Sequence, residues 1–485
     1  MMKKILSITL IFVMAITVFS CGGTSDKPSD TTAKNNSPAD TTAAEETRLY
    51  ATVPDIKFEG EEFIFLNIDP ATMHWATHTI VVEQQEGEVL NDSIYERNLA
   101  VEEKLGIKLK NNQVPHGNIV SMIKKEVTSG AGEFDAAFLA ISSQGDLAQG
   151  YLVDWKTIPH IDLNKPWWAK TTNDDLTIKN RLFFAAGDIG IAYYDAVMPI
   201  AMNMRMAADY ELADPYKLVL DGNWTADVVS ELMKAVTEDL NGDGVMDKND
   251  QFGMFGMSEE YTALIVAFGE KSIRKDADDI PFLAINTESY QRAFDKAIQM
   301  MNRDDIFFNY RLTKFGDTSG VSLVGVWTGG QALLQSDVIF HFSAFREMED
   351  DFAILPRAKY DEKQTDYLSY IHQSAVLMCI PTTADNLERT GIVLESLAAE
   401  SKYTVIQTYY DITLSQKYAR DQQSIKMLDI IFEHRVIDLG TVFNWASLNS
   451  SIMKQGEESN ASIGSLFAKV ENQVAAAIDK FVDFD

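Results

Sequence analysis

The densest run of chemically capable residues is Asp239-Leu240-Asn241-Gly242-Asp243-Gly244-Val245-Met246-Asp247-Lys248-Asn249-Asp250. Carboxylate or amide oxygens stand at loop positions 1, 3, 5, 9 and 12, and glycine at position 6, where the chain must turn sharply. Asp239, Asn241, Asp243, Asp247, Asp250 and the backbone carbonyl of Val245 make a coherent ligand set for Ca2+, which prefers oxygen. The departure is Asp250, where a glutamate is usual; its shorter side chain reaches less far. A helix is expected before the loop, and Gln251–Phe255 after it reads as extended. That pattern predicts a single structural Ca2+ site and not a paired sensor; a solvated acidic turn is the alternative. Catalytic signatures are missing: there is no HExxH, no GxSxG and no P-loop. The seven histidines (His74, His78, His116, His160, His341, His372, His434) show no metal-ligand spacing along the chain. With 72 acidic residues, a hydrolytic carboxylate pair stays open as the runner-up, although no local motif marks one.

The first residues set the expected compartment. Met1-Met2-Lys3-Lys4 is a short basic region followed by an apolar run to Phe19, too short to span a bilayer comfortably and matching a secretory leader over residues 1–20. It ends at Val18-Phe19-Ser20-Cys21-Gly22, which is similar to the lipobox of bacterial lipoproteins, so Cys21 is the expected lipidation site and the only membrane attachment. The polar stretch that follows, within residues 21–52, has no apolar periodicity and reads as a disordered tether. The other cysteine, Cys379, lies in an apolar run and reads as a buried, inert thiol. The formal net charge of -30 argues against nucleic acid and against peripheral binding to anionic lipid.

Roughly 430 remaining residues exceed one core, so two lobes are expected. Glu61–Ile68 reads as a strand, Asn91–Leu105 as a helix stopped by Gly106, and Ile107–Lys110 as a second strand. A helix over Ile119–Thr128 and a strand over Phe134–Ile141 complete an alternating α/β pattern, which implies a largely parallel sheet. Ligands on such sheets sit beyond the carboxyl ends of strands, which singles out Asn67, Asp69, Ser143 and Gln144. Further on, helices are predicted from Trp224 to about Glu238 with Thr225 as N-cap, over Tyr290–Asn302, Gly329–Leu334, Asn386–Glu400 and Ser424–Phe432. Phe352–Pro356 and Ala375–Ile380 return to strands.

Taken in order, a set of segments resembles one family. It comprises Glu133-Phe134-Asp135-Ala136-Ala137, Pro166-Trp167-Trp168, Gly187-Asp188-Ile189-Gly190, Met202-Asn203-Met204-Arg205 and Gly222-Asn223-Trp224-Thr225. The acidic loop, Gly329-Gly330-Gln331-Ala332-Leu333, Asp351–Pro356, Leu394–Ser401 and Ser424–Leu428 follow. With the lipobox and tether, the chain resembles the extracellular solute-binding proteins of family 1, the maltose- and oligosaccharide-binding-like components of ABC transporters. The resemblance implies a two-lobed periplasmic-binding-protein-like (type II) α/β fold, each lobe a mixed sheet flanked by helices, with the ligand cleft between. The implied first lobe takes 53–190 and 356–412; the second takes 191–355 and 413–485. It further implies a monomeric, lipid-anchored receptor on the outer face of the membrane, not an enzyme, that closes on a small solute and hands it to a permease. A sugar is the expected solute; a non-transport chemosensory receptor is an alternative on the same fold. Aromatic faces and polar groups that such a cleft would use are present in Trp75, Trp168, Tyr193, Tyr194, Phe342, Ser343, Arg346, Tyr370 and His372. Trp224 and Trp327 are expected to pack in the core instead.

Overall fold

A computed structural model describes residues 48–141, 146–301, 306–309, 325–411, 414, 421–458 and 460–484, with backbone alone at 346 and 347. Its strands are β1 (Glu62–Ile68), β2 (Lys108–Val114), β3 (Ala136–Ala140), β4 (Ile200–Asn203), β5 (Phe252–Gly256), β6 (Ile273–Lys275) and β7 (Pro281–Leu283). They continue as β8 (Phe307–Asn309), β9 (Ala332–Ser336), β10 (Phe352–Leu355), β11 (Ser369–Tyr370), β12 (Val376–Cys379) and β13 (Arg435–Val436).

Two mixed sheets carry the fold. The first has the order β12-β3-β1-β2, with β1 parallel to β2 and β3 and β12 antiparallel to β3. The second runs β10-β4-β9-β5-β8, parallel at β9-β5-β8 and antiparallel at β10-β4-β9. The expected α/β architecture with mixed sheets and flanking helices is what the chain forms. The helix Val89–Leu105 ends at Gly106 in the left-handed conformation (φ +64°), as its sequence predicts. The helix Glu259–Ala267 buries all nine of its residues, which explains why it shows no polar face in sequence.

One local expectation holds in position alone, and another fails. Thr225 stands at the N-cap of the helix Ala226–Val236, but its side chain makes no capping bond and its Oγ1 is buried without a partner. Gly329–Leu334 is not a helix. The helix Gly325–Thr328 ends there, Gly330 takes φ +72°, and Ala332–Ser336 becomes β9, buried on both faces between β4 and β5. A short apolar run buried on both sides carries no period that separates strand from helix. Trp224 and Trp327 are fully buried, and the Trp224 indole donates to the Pro356 carbonyl at 2.9 Å.

Three stretches pass between the sheets. Ala185 bridges to Met378 at the first sheet, and the same segment reaches β4 of the second by Ile200. The chain returns between β10 and β12, where β11 pairs with β13. It passes again after the helix Leu387–Tyr403, which packs on Val89–Leu105, to the helix Gln422–Glu433, which packs on β10.

Beneath the second sheet lies a buried ion pair. Arg357 and Glu260, neither exposed, bond each other directly; Ser336 Oγ donates to Glu260 and accepts from Arg357 Nη2 at 2.7 Å. Arg357 Nε also donates to the Met198 carbonyl at 2.9 Å. Removing one partner strands the other charge in the interior, so Arg357→Met is expected to lower stability by about 3–5 kcal/mol in urea melts. Adding Glu260→Leu to that variant should recover most of the loss.

Candidate functional site

A cleft of about 400 Å3 opens between the two sheets, lined by Met73, His74, Trp75, His116, Ala140, Met257, Glu259, Asp337, Val338, His341, His372, Gln373 and Ser374. The topology explains this set. Met73–Trp75, His116 and Ala140 stand at or beyond the carboxyl ends of β1, β2 and β3, and Met257 and Glu259 follow β5. Asp337, Val338 and His341 follow β9, while His372–Ser374 lead into β12, whose antiparallel sense brings its start to the same edge. Carboxyl ends of parallel strands are where open α/β sheets bind ligands.

Two of the cleft imidazoles are fixed by neighbours. His341 Nδ1 lies 2.8 Å from Asp337 Oδ1; a carboxylate only accepts, so this nitrogen carries the proton. The backbone N–H of Ser374 donates to His372 Nδ1 at 3.1 Å, so that nitrogen is an acceptor. Trp75 is half-buried and meets the His74 ring edge-on at 5.3 Å.

Of the residues singled out in sequence, Trp75 and His372 line this cleft among the described residues. Asn67 is buried and structural: its amide donates to the His78 carbonyl at 2.6 Å, and its Oδ1 accepts from Ile68 N. Asp69 accepts from Ala71 N and caps the turn Pro70–Thr72. Trp168 is buried away from the cleft, its indole donating to Glu395 at 2.8 Å and its ring edge-on to Trp155. Tyr193 and Tyr194 are buried in the first passage between the sheets. Tyr193 shares a hydrogen bond with Thr172 at 2.6 Å, and Tyr194 donates to Asp188. The Arg435 guanidinium lies 4.8 Å from the centre of the Tyr194 ring. Tyr370 is buried, its hydroxyl 3.2 Å from Thr441 Oγ1. Ser143 and Gln144 lie outside the described residues, as do Cys21 and the side chain of Arg346.

The segment after β9 shows why the expectation landed one residue off. Ile339–Glu347 is a 3-10 helix, so residues three apart share a face. Ile339, Phe342 and Phe345 turn into the core, Ser343 is exposed and bonds the Phe340 carbonyl, and His341 falls to the cleft. The same strand-end rule that picked Asn67, applied after β2, β5 and β9, would have reached His116, Glu259 and Asp337. Reading β9 as a helix hid the last of these.

The acidic loop is folded on itself and closed by a bridge between Glu238 and Gln251. Asp239 accepts from the amides of Gly242 and Gly244, each at 2.8 Å, and Asp243 accepts from Val245 N at 2.8 Å. The fully buried Asp250 accepts from Leu240 N and Asp247 N. The donor chemistry suits a hard cation, yet among the described residues no three His, Cys, Asp or Glu groups converge as a metal cage.

No protein-family model matches this sequence, and no curated protein is similar enough to match. Solved structures do match. An ABC substrate-binding protein from Listeria monocytogenes, in complex with cycloalternan, is 12% identical with a TM-score of 0.52, over 87% of this chain and 98% of that one. A sugar transporter protein from Rhizobium etli in an open conformation is 10% identical with a TM-score of 0.55, over 87% and 98%. A cyclo/maltodextrin-binding protein complexed with maltotetraose is 11% identical with a TM-score of 0.55, over 88% and 96%. The chain has the fold of ABC-transporter substrate-binding proteins. In that substrate-binding fold the cleft described above lies between the two sheets, and the buried tyrosines lie in a passage that joins them.

That passage contains a testable electrostatic feature. Burial pushes the Asp188 carboxyl up to about 7, against the opposing hydrogen bond from Tyr194 and the fields of Lys402 and Arg435. A carboxyl raised on folding from an ordinary value near 3.9 lowers stability as pH rises between the two values. Asp188→Asn should therefore gain on the wild-type protein as pH rises from about 4 to about 7 and stay level above it. Denaturant melts at a series of pH values check this; a pH-independent difference would contradict it.

Proposed function

We propose that this protein is an extracytoplasmic receptor that captures a small neutral glycan and delivers it to an ABC-type permease, without catalysing a reaction. The observation that carries the reading is the cleft itself, formed at the strand ends of both sheets in a fold whose solved examples include proteins holding cycloalternan and maltotetraose. Its lining suits hydroxyls, which both donate and accept: His341, Gln373, Ser374 and Glu259 supply polar groups. Trp75 supplies a flat apolar face of the kind that packs against a sugar ring. At about 400 Å3 the cleft is at the small end of ligand sites, which favours a short glycan over a polymer. Contacts from both sheets give a bound solute the differential affinity that hinge closure requires.

The anchoring is part of the same proposal: lipid on Cys21, a polar tether, and a folded unit from Arg48 onward. No helix among the described residues is long and apolar enough to cross a membrane. The permease reads the closed form, and the receptor acts as a monomer.

Thermal shift against mono- and oligosaccharides, amino acids and short peptides tests the reading. A ligand at a hundredfold its dissociation constant adds about 2.7 kcal/mol, a rise of a few degrees in Tm. One sugar class should give that rise and be recovered unchanged after overnight incubation. Trp75→Ala should weaken its binding about fivefold or more, as loss of an aromatic contact worth about 1 kcal/mol or more implies. Consumption of the sugar, or a response only to amino acids or peptides, would overturn the proposal.

Asp239, Asn241, Asp243, Val245, Asp247 and Asp250 are proposed to take one structural Ca2+. The support is the oxygen-donor spacing and the left-handed turns at Gly242 and Gly244 (φ +71° and +79°). Ca2+ added to chelated protein should raise Tm and release or absorb heat in a titration, and Asp239→Ala should abolish both. A flat titration refutes the site.

A further inference from the structure

The walls of the cleft come from separate parts of the chain, yet three of them are attached to one short segment, Asp195–Met198. The backbone carbonyl of Ala196 accepts from the N–H of His372, at 2.9 Å, holding the wall that precedes β12. The carbonyl of Val197 accepts from the N–H of Ile339, also at 2.9 Å, holding the helical turn that carries His341. The third wall, Met73–Trp75, is attached through a side chain: Asp195 Oδ2 accepts from the N–H of Thr77 at 2.6 Å. The other oxygen of the same carboxylate accepts from the Tyr409 hydroxyl at 2.8 Å, and Tyr409 belongs to the third passage between the sheets. Asp195 is almost fully buried, and its surroundings raise its pKa by desolvation, against the bonds from Thr77 and Tyr409 and the field of His341.

We propose that Asp195 is a positioning residue for the ligand cleft: it ties the Trp75 wall to two of the passages that join the sheets. This rests on reading the cleft as the ligand site. Backbone bonds cannot be substituted one at a time, so Asp195 is the member of this strut that a point mutation can remove. It touches no cleft volume itself, and it acts by fixing Thr77, two residues from Trp75. The neighbouring anchor on the other side, Asn67 to the His78 carbonyl, leaves Met73–His78 held at one end when Asp195 is lost.

Hydrogen exchange on the protein without ligand tests the tie independently of what the cleft binds. In Asp195→Ala, peptides covering Met73–His78 should exchange about tenfold faster or more, the consequence of losing one charge-assisted bond. The helix Leu387–Tyr403 should exchange as in the wild-type protein. Asp195→Asn should restore protection, because its amide oxygen accepts from Thr77 and its NH2 donates to the Tyr409 hydroxyl oxygen. Tyr409→Phe, which removes one bond and no volume from the cleft, should give a smaller acceleration in the same peptides, and keeps the test available if the alanine variant does not fold. Unchanged exchange at Met73–His78, or equal acceleration throughout the chain, would overturn the proposal. If the exchange pattern holds but no sugar of the panel binds, the strut stands and the glycan reading alone falls.

Discussion

Buried backbone groups must find partners, and in Asp195–Met198 that requirement decides where the cleft walls stand. The segment is deeply buried, so its polar groups cannot turn to water: the carbonyls of Ala196 and Val197 take the N–H groups of His372 and Ile339, and the Asp195 carboxylate takes that of Thr77. The stretches that supply those N–H groups are the ones carrying Trp75, His341 and His372. Satisfying the interior of the passage and shaping the ligand surface are thus one constraint. The residues around it follow the same logic. Arg357 reaches the Met198 carbonyl while pairing with Glu260, so the end of the passage is held by the ion pair under the second sheet.

A second buried guanidinium works without a carboxylate. Arg97 donates to the carbonyls of Ile80 and Ile189, to Ser401 Oγ and to Asn98 Oδ1, and burial lowers it to about 9. Its partners lie on the loop after β1, at the start of the first passage and on the helix Leu387–Tyr403. Four neutral acceptors replace the water a guanidinium would otherwise keep. Arg97 therefore does for the first sheet what Arg357 does for the second: a planar fork of donors closes gaps where loops meet and no regular ladder is available.

The sequence was most readable where local chemistry and tertiary environment agree. The helix Val89–Leu105 has its glycine stop, the helix Leu387–Tyr403 has Asn386 as its cap, and β1 and β3 carry their apolar runs in the expected places. It was least readable in β9, where burial on both faces erases the period, and in the 3-10 turn after it, where the face that points inward depends on a geometry with three residues per turn. The cleft inherited those errors. Trp75 was visible because a large aromatic after a strand end is conspicuous. Tyr193, Tyr194, Tyr370 and Phe342 were equally conspicuous but are sunk beneath the cleft surface or away from it, since an aromatic ring serves packing as readily as recognition. The grouping of His74, His116, His341 and His372 could not be read from spacing, because it arises from strand ends brought together by sheet order.

The origin of the lining at strand ends separates two kinds of change that evolution or an engineer could make. The sheets owe their stability to residues inside β1, β3, β4, β5 and β9, none of which except Ala140 reaches the cleft. The contact residues sit one to seven positions beyond β1, β2, β5 and β9, or two to four positions before β12, on short turns whose lengths are set by the walls they build. His74, His116 and Gln373 are therefore exchangeable tips on a fixed frame, and solute preference can drift through them while the frame keeps its order. Residues of the passage do not share that freedom, because altering one moves several walls at once.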